Sequence, residues 1–257
     1  MSINQALGTP MTEEQYACEW SFDSSNHQTN GDYKWMSSFI PNESTVLEIG
    51  CGSAFSTLEI AKRAKQVFSI EINDHLVEKA SLYLAENDYP PKVVKLSDIV
   101  NIDLSTLKEK IIIINADIND AFIDQLVSAT NIDFICCWLI GAAPKHAADI
   151  MGISLENLKP EYAADYRESI TKRGFQLSKI KENTSYQVIT RVQPQRDISK
   201  MELKQVIIDD LNDQFSLNLS HTQVKDRKTK IASKRMQYII QGAYKQLNEI
   251  YLFSTLL

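Results

Sequence analysis

The sequence predicts an α/β fold, a doubly wound sheet with helices on both faces, and three observations predict it. Residues 45–73, TVLEIGCGSAFSTLEIAKRAKQVFSIEIN, read as strand, tight turn, helix and second strand. Val46, Leu47 and Ile49 form one apolar run, Leu58, Ile60, Ala61 and Ala64 recur at helical spacing, and a second apolar run covers 67–70. Next, residues 111–114 are all isoleucine, and a β-branched run of this kind suits a strand buried on both faces of a parallel sheet. Finally, residues 132–140, IDFICCWLI, form a further apolar run that ends in Gly141.

The elements follow in order. Residues 1–40 mix polar and aromatic side chains without a strong period, Tyr16, Trp20, Phe22, His27, Tyr33 and Trp35 among them. Tyr33, Met36, Phe39 and Ile40 share a helical face, so 1–40 reads as an N-terminal extension ending in a helix that caps a domain at 41–257. Its rings either anchor a lid to the core or line a pocket under it. After residue 71, Leu76, Val77, Ala80 and Leu84 fall at helical spacing with Asp74 as N-cap, and Pro90 and Pro91 stop the helix. Two segments compete for the third strand, 93–96 ending near Asp98 and 111–114 ending near Asp117; the isoleucine run is preferred, which makes 97–110 an insertion or short helix.

Residues 118–130 and 162–181 carry helical spacing, separated by the fourth strand and by a polar stretch with Pro144, His146 and Gly152 that reads as a loop and helix. A fifth strand spans 186–192, with Pro194 preventing its continuation. Residues 199–215 read as a helix, 216–224 alternate with period two, 226–234 read as a basic turn, 236–250 as mixed and 251–257 as a final strand.

With 257 residues and 44% hydrophobic content, one well-buried domain is expected. The formal charge of -6 argues against affinity drawn from sequence-independent phosphate contacts. Cys18, Cys51, Cys136 and Cys137 lack metal-binding spacing and read as buried, reduced thiols; no metal is expected. The N-terminus lacks a basic start and apolar core, and no apolar segment reaches the roughly 20 residues that span a bilayer, so a cytoplasmic protein away from membranes is expected.

Gly50 and Gly52 flank Cys51 where the first strand stops, and residues without a Cβ let a ligand approach the backbone. Glu71 ends the second strand, where a carboxylate can accept hydrogen bonds from a ribose diol. A glycine turn with an acidic strand end is a nucleoside-binding arrangement. A dinucleotide fingerprint is a poorer match, since Phe55 holds its third glycine site and Glu48 has no place in it.

The run VLEIGCGSA at 46–54 resembles the first motif of the class I (Rossmann-like) S-adenosylmethionine-dependent methyltransferases, Glu71 resembles their ribose-binding acid, and Asn115-Ala116-Asp117 is similar to the segment that contacts adenine. The resemblance implies a seven-stranded mixed sheet with an antiparallel last strand. It also implies S-adenosylmethionine as cofactor and S-adenosylhomocysteine as product. Glu48 would orient the methionine ammonium, the backbone of Gly50, Cys51, Gly52, Ser53 and Phe55 would hold the methionine end, and Glu71 the ribose. Ile72, Asp117 and Ile118 would flank the base, with Asp98 as the competing acid, and Trp138 would either border the sulfonium or pack in the core. Ala54 replaces the usual third glycine, and residues 136–144, CCWLIGAAP, lack the Asn/Asp-Pro-Pro-aromatic signature of enzymes that methylate base amino groups.

Candidate bases are His27, Tyr33 and His146, each of which also has a structural reading; His75 and His221 receive no role. A small-molecule acceptor is expected from the acidic chain and aromatic cap. The alternatives are a protein or RNA acceptor, supported by the basic residues Lys225, Arg227, Lys228, Lys230, Lys234 and Arg235, and a SAM-binding scaffold without turnover.

Overall fold

A computed structural model describes residues 11–99, 106–141, 143–158, 160–192, 198–230 and 250–257. The described elements run α1 (Glu13–Thr29), α2 (Asp32–Ser37), β1 (Thr45–Ile49), α3 (Phe55–Ala61), β2 (Gln66–Glu71), α4 (Asp74–Glu86), β3 (Lys92–Lys95) and α5 (Leu96–Ile99). They continue with β4 (Ile111–Asn115), α6 (Ala121–Ala129), β5 (Phe134–Trp138), α7 (Pro144–Met151), α8 (Pro160–Ser178), β6 (Ser185–Val192), α9 (Lys200–Phe215), β7 (Val224–Thr229) and β8 (Ile250–Leu256).

The strands form one mixed sheet of eight in the order β3-β4-β2-β1-β5-β6-β8-β7. The first six in that order pair in parallel, while β8 is antiparallel to both β6 and β7. The fold is the expected Rossmann-like one with one strand more than the seven expected. Both segments that compete for the third strand are strands, with Val94 of β3 paired to Ile114 of β4. As the edge strand, β3 needs only one apolar face: Val94 is buried and Val93 exposed.

The isoleucine run is explained by two cores. Ile112 and Ile114 face the side covered by α6, α8 and α9, whereas Ile111 and Ile113 face the side covered by α2, α3 and α4. Because side chains alternate along a strand, a strand covered twice has no solvent face to mark with polar residues.

Helix starts follow capping chemistry. Thr12 and Gln15 form a capping box at α1, and Ser199 and Glu202 form one at α9. At α4 the N-cap is Asn73 rather than Asp74: its side-chain oxygen accepts from the backbone N–H of His75 and Leu76. The last third differs most from expectation. The period-two stretch at 216–223 is not a strand, and the basic segment read as a turn is the edge strand β7 as far as Thr229, paired along β8. Lys234, Arg235 and most of the mixed segment at 236–250 lie outside the described residues. Cys51, Cys136 and Cys137 are buried as expected, but Cys18 is exposed on α1. No helix among the described residues is long and apolar enough to cross a membrane.

Candidate functional site

The direction of winding reverses at β1, which lies between β2 on one side and β5 on the other. Crevices form beyond the carboxyl ends of strands at such a point. Here the chain turns sharply. Gly50 has φ +74°, and the N–H groups of Gly50 and Cys51 both donate to the Ile70 carbonyl, at 2.9 and 3.3 Å. The turn therefore folds over the end of β2 and exposes backbone instead of side chain. Gly52 and Ala54 also have positive φ, so the alanine occupies a left-handed position that glycine would fill without steric cost.

Glu71 closes this corner. Its Oε2 accepts from the Gly52 N–H at 2.9 Å and its Oε1 from the Asn73 N–H at 3.0 Å, which joins the β1 turn to the start of α4. Only 7% of the residue is exposed. Burial raises its carboxyl to about 6, against the partial relief of those amide bonds. The Ile72 amide adds to the relief that the Asn73 and Gly52 amides give.

The pocket beyond the strand ends is lined by Gly50, Glu71, Ile72, Asn73, Leu76, Asp117, Ile118, Ile140, Gly141, His146 and Tyr166, with Tyr16 and Trp20 reaching in from α1. The end of β5 enters it through a strained turn. Leu139 is buried at φ +51°, a left-handed conformation that is costly for a γ-branched side chain and delivers Ile140 and Gly141 to the pocket.

Of the residues singled out in the sequence, Gly50, Glu71, Ile72, Asp117, Ile118 and His146 line this pocket. Asp117 accepts from the Asn119 backbone at 2.8 Å in a tight turn, whereas Asp98 is exposed on α5 beyond the edge strand. Glu48 does not reach the pocket. Ser56 and Thr57 of α3 and Ser69 of β2 donate to it at 2.5, 2.6 and 2.7 Å, so it pins α3 to the sheet. Desolvation pushes the Glu48 carboxyl up despite those three bonds. Ser53 shares a hydrogen bond of 2.5 Å with Ser21, Phe55 packs on Tyr83 at 4.4 Å, and Cys51 is buried in the core. Trp138 also belongs to the core, its indole N–H donating to Gln187 at 3.0 Å.

His27 and Tyr33 lie away from the pocket, in a buried cluster behind α1. His27 Nδ1 is 2.8 Å from Asp32 and its Nε2 is 3.2 Å from Arg191 Nη1. An arginine only donates, so Nε2 is the acceptor and Nδ1–H the donor to Asp32. Both ring nitrogens are thus engaged structurally. Among the described residues, no group of three or more His, Cys, Asp or Glu could hold a metal ion.

Tyr16, Trp20, Leu76, Asn73 and Tyr166 line the pocket without having been assigned to it from the sequence. Only the first two carried a signal, as rings on a segment that could cap a cleft. Burial and the neighbouring Glu71 charge both push the Tyr16 hydroxyl up, and the same two causes act on Tyr166.

Residues 28–133 match the model of the ribosomal RNA adenine dimethylase family. No curated protein matches the chain. Similar solved structures include a precorrin 8w decarboxylase from Methanobacterium thermoautotrophicum, 14% identical, with 84% of this chain and 82% of that one covered at a TM-score of 0.41. An rRNA methylase from Streptococcus thermophilus is 12% identical over 87% of this chain and 93% of that one, with a TM-score of 0.39. A precorrin-6y C5,15-methyltransferase from Geobacter metallireducens is 11% identical over 87% and 85%, with a TM-score of 0.41. The matched stretch contains the glycine turn, the Glu71 corner and Asp117, the residues that carry the resemblance to the class I S-adenosylmethionine-dependent methyltransferases.

Proposed function

We propose that the chain transfers a methyl group from S-adenosylmethionine to RNA, using the pocket at the ends of β1, β2 and β4. The observation that carries the acceptor class is the match of residues 28–133 to ribosomal RNA adenine dimethylase. It favours RNA over the small-molecule acceptor suggested by the acidic chain and aromatic cap.

The donor set fits the cofactor. Glu71 offers its carboxylate to the ribose hydroxyls, with Ile72, Leu76 and Ile118 as apolar surface for adenine and Asp117 as acceptor for its amino group. The Gly50 turn presents backbone, with no side chain, to the methionine end. When bound, S-adenosylmethionine supplies an electrophilic methyl group on a sulfonium. The protein then has to orient that methyl toward the acceptor and exclude water, since positioning lowers the barrier of an in-line displacement and a base is needed only where the acceptor loses a proton. Of the three candidate bases, His146 is the one lining the pocket, 2.9 Å from Glu13. Glu48, Ser53, Phe55 and Trp138 act indirectly, by holding the glycine turn, α3 and β5 in place.

The matched segment stops at Asp133, one residue before β5, whose end carries the Leu139 turn and Gly141. It therefore supports the class of acceptor and not the methylated atom. Tritiated S-adenosylmethionine, supplied with separate RNA, protein and metabolite fractions, tests the reading. Label is expected in nuclease-sensitive RNA; label confined to metabolites or to protein overturns it.

A further inference from the structure

The pocket is plugged by its own N-terminal helix. Tyr16 and Trp20 lie one turn apart on α1, stacked with ring centroids 6.2 Å apart and planes 10° from parallel. They are pressed against two of the glycines at the site, Gly52 and Gly141. A Cβ on Gly52 would lie 2.5 Å from Trp20 Nε1, and one on Gly141 would lie 1.8 Å from Tyr16 Oη. The cavity left beneath them is about 70 Å³. Sites for drug-sized ligands run to roughly 300–1,000 Å³. An adenosyl ligand and these two rings therefore cannot share the space.

How α1 is held indicates which part of it moves. Its fully buried residues are Ala17, Asp23, Ser24 and His27, while Trp20 packs partly buried against the core and Ser21 bonds Ser53 at 2.5 Å. The C-terminal half is tied down by buried charge: Asp23 accepts from Arg191 at 2.5 Å, and His27 bonds both Arg191 and Asp32. The N-terminal turn is tied at its rim by Glu13, 2.9 Å from His146 and 3.2 Å from Lys145, and by the Glu13 carbonyl accepting from Asn73 at 3.1 Å. Lys145 is exposed and Glu13 partly so, and a pair of that kind contributes little against water.

We propose that the N-terminal turns of α1 are a self-occluding lid: Tyr16 and Trp20 occupy the cofactor's space, and S-adenosylmethionine binds only as these turns swing out on the fixed C-terminal half. This rests on the assignment of the pocket to that cofactor. Binding energy is spent on opening the lid, so the apparent affinity of the wild type is reduced by the fraction of molecules that are open.

S-adenosylhomocysteine binding by calorimetry, on wild type and on the Tyr16→Ala/Trp20→Ala double variant, reads this directly. The lid predicts binding at least ten-fold tighter in the double variant. Equal or weaker binding there, with clear binding to wild type, overturns the lid and leaves the cofactor assignment standing. No binding to either protein overturns the cofactor assignment and the lid with it. Hydrogen exchange on the unaltered protein gives an independent reading: saturating S-adenosylhomocysteine should lower amide protection across residues 13–20, and raised protection there overturns the proposal.

Discussion

Glu71 is the residue on which the pocket's chemistry and the fold's stability meet. Its carboxyl titrates near 6 when folded and near 4.5 when unfolded, because burial disfavours the charge more than the Asn73, Gly52 and Ile72 amides restore it. The folded chain thus binds the proton more tightly. The stabilisation is complete below about pH 4.5 and is lost as pH rises through 6, a change of roughly 2 kcal/mol. Urea titrations of wild type and Glu71→Gln should therefore diverge by about that amount between pH 4.5 and 7, the variant lacking the decline; parallel curves would rule it out. Glu71 was legible as a strand-end acid after an apolar run. Glu48 was legible as an acid near a strand end, and its side chain bonds Ser56, Thr57 and Ser69 on the α3 side of the sheet. Period two along β1 puts Glu48 with Val46, facing α3, and Ile49 with Leu47 on the opposite face, so the alternation itself carries that orientation.

Among the elements, α8 is the one whose packing the sequence concealed. Gly174 lies within it, and an added Cβ would meet Ile49 Cδ1 at 2.7 Å and the Tyr186 ring at 2.9 Å. The Ile49 tip can turn aside. The Tyr186 ring has less freedom, because its hydroxyl donates to the Thr171 carbonyl of the same helix at 2.8 Å. Alanine gains about 1 kcal/mol over glycine in a helix, whereas overpacking costs about 1–3 kcal/mol. We expect Gly174→Ala to destabilise by about 1 kcal/mol in urea denaturation, and a stabilised variant would show that α8 has room to shift. The elements readable from sequence were those with a strong local pattern, β1, α3, β2, α4, β4, β5, β6 and α9 among them. The edge strand β3 was read only as a competitor for the third strand and β7 as a turn, because an edge strand needs few apolar residues. In β7 only Val224 and Thr229 are buried, and charge elsewhere along it discourages pairing with another chain.

At the scale of the whole molecule, the first 40 residues were expected to be an extension capping a domain at 41–257, and ion pairs join the two. Asp32, fully buried, accepts from Arg227 at 3.0 Å and from the Thr229 hydroxyl, both on β7, as well as from His27. Arg227 also donates to the Asn30 carbonyl at 2.9 Å. Burial raises the Asp32 carboxyl, yet the bonds from His27 and Thr229 and the neighbouring positive charge outweigh it and hold it below the ordinary aspartate range. Arg227 had been read as part of a basic patch for an anionic acceptor, but here it is committed to the fold. A contact bridging 195 positions has no local signature, which is why the sequence did not reveal it. Removing one member of a buried charged cluster strands the others and costs about 3–5 kcal/mol. Arg227 is partly exposed and can regain water, so the lower end applies to Asp32→Ala, about 3 kcal/mol. If α1, α2 and β7 unfold with the sheet, that loss appears as a shifted midpoint in a single transition followed by both circular dichroism and tryptophan fluorescence. A separate early transition, or a shift below about 1 kcal/mol, would mean that the N-terminal segment folds on its own and that its charges are not part of the common core.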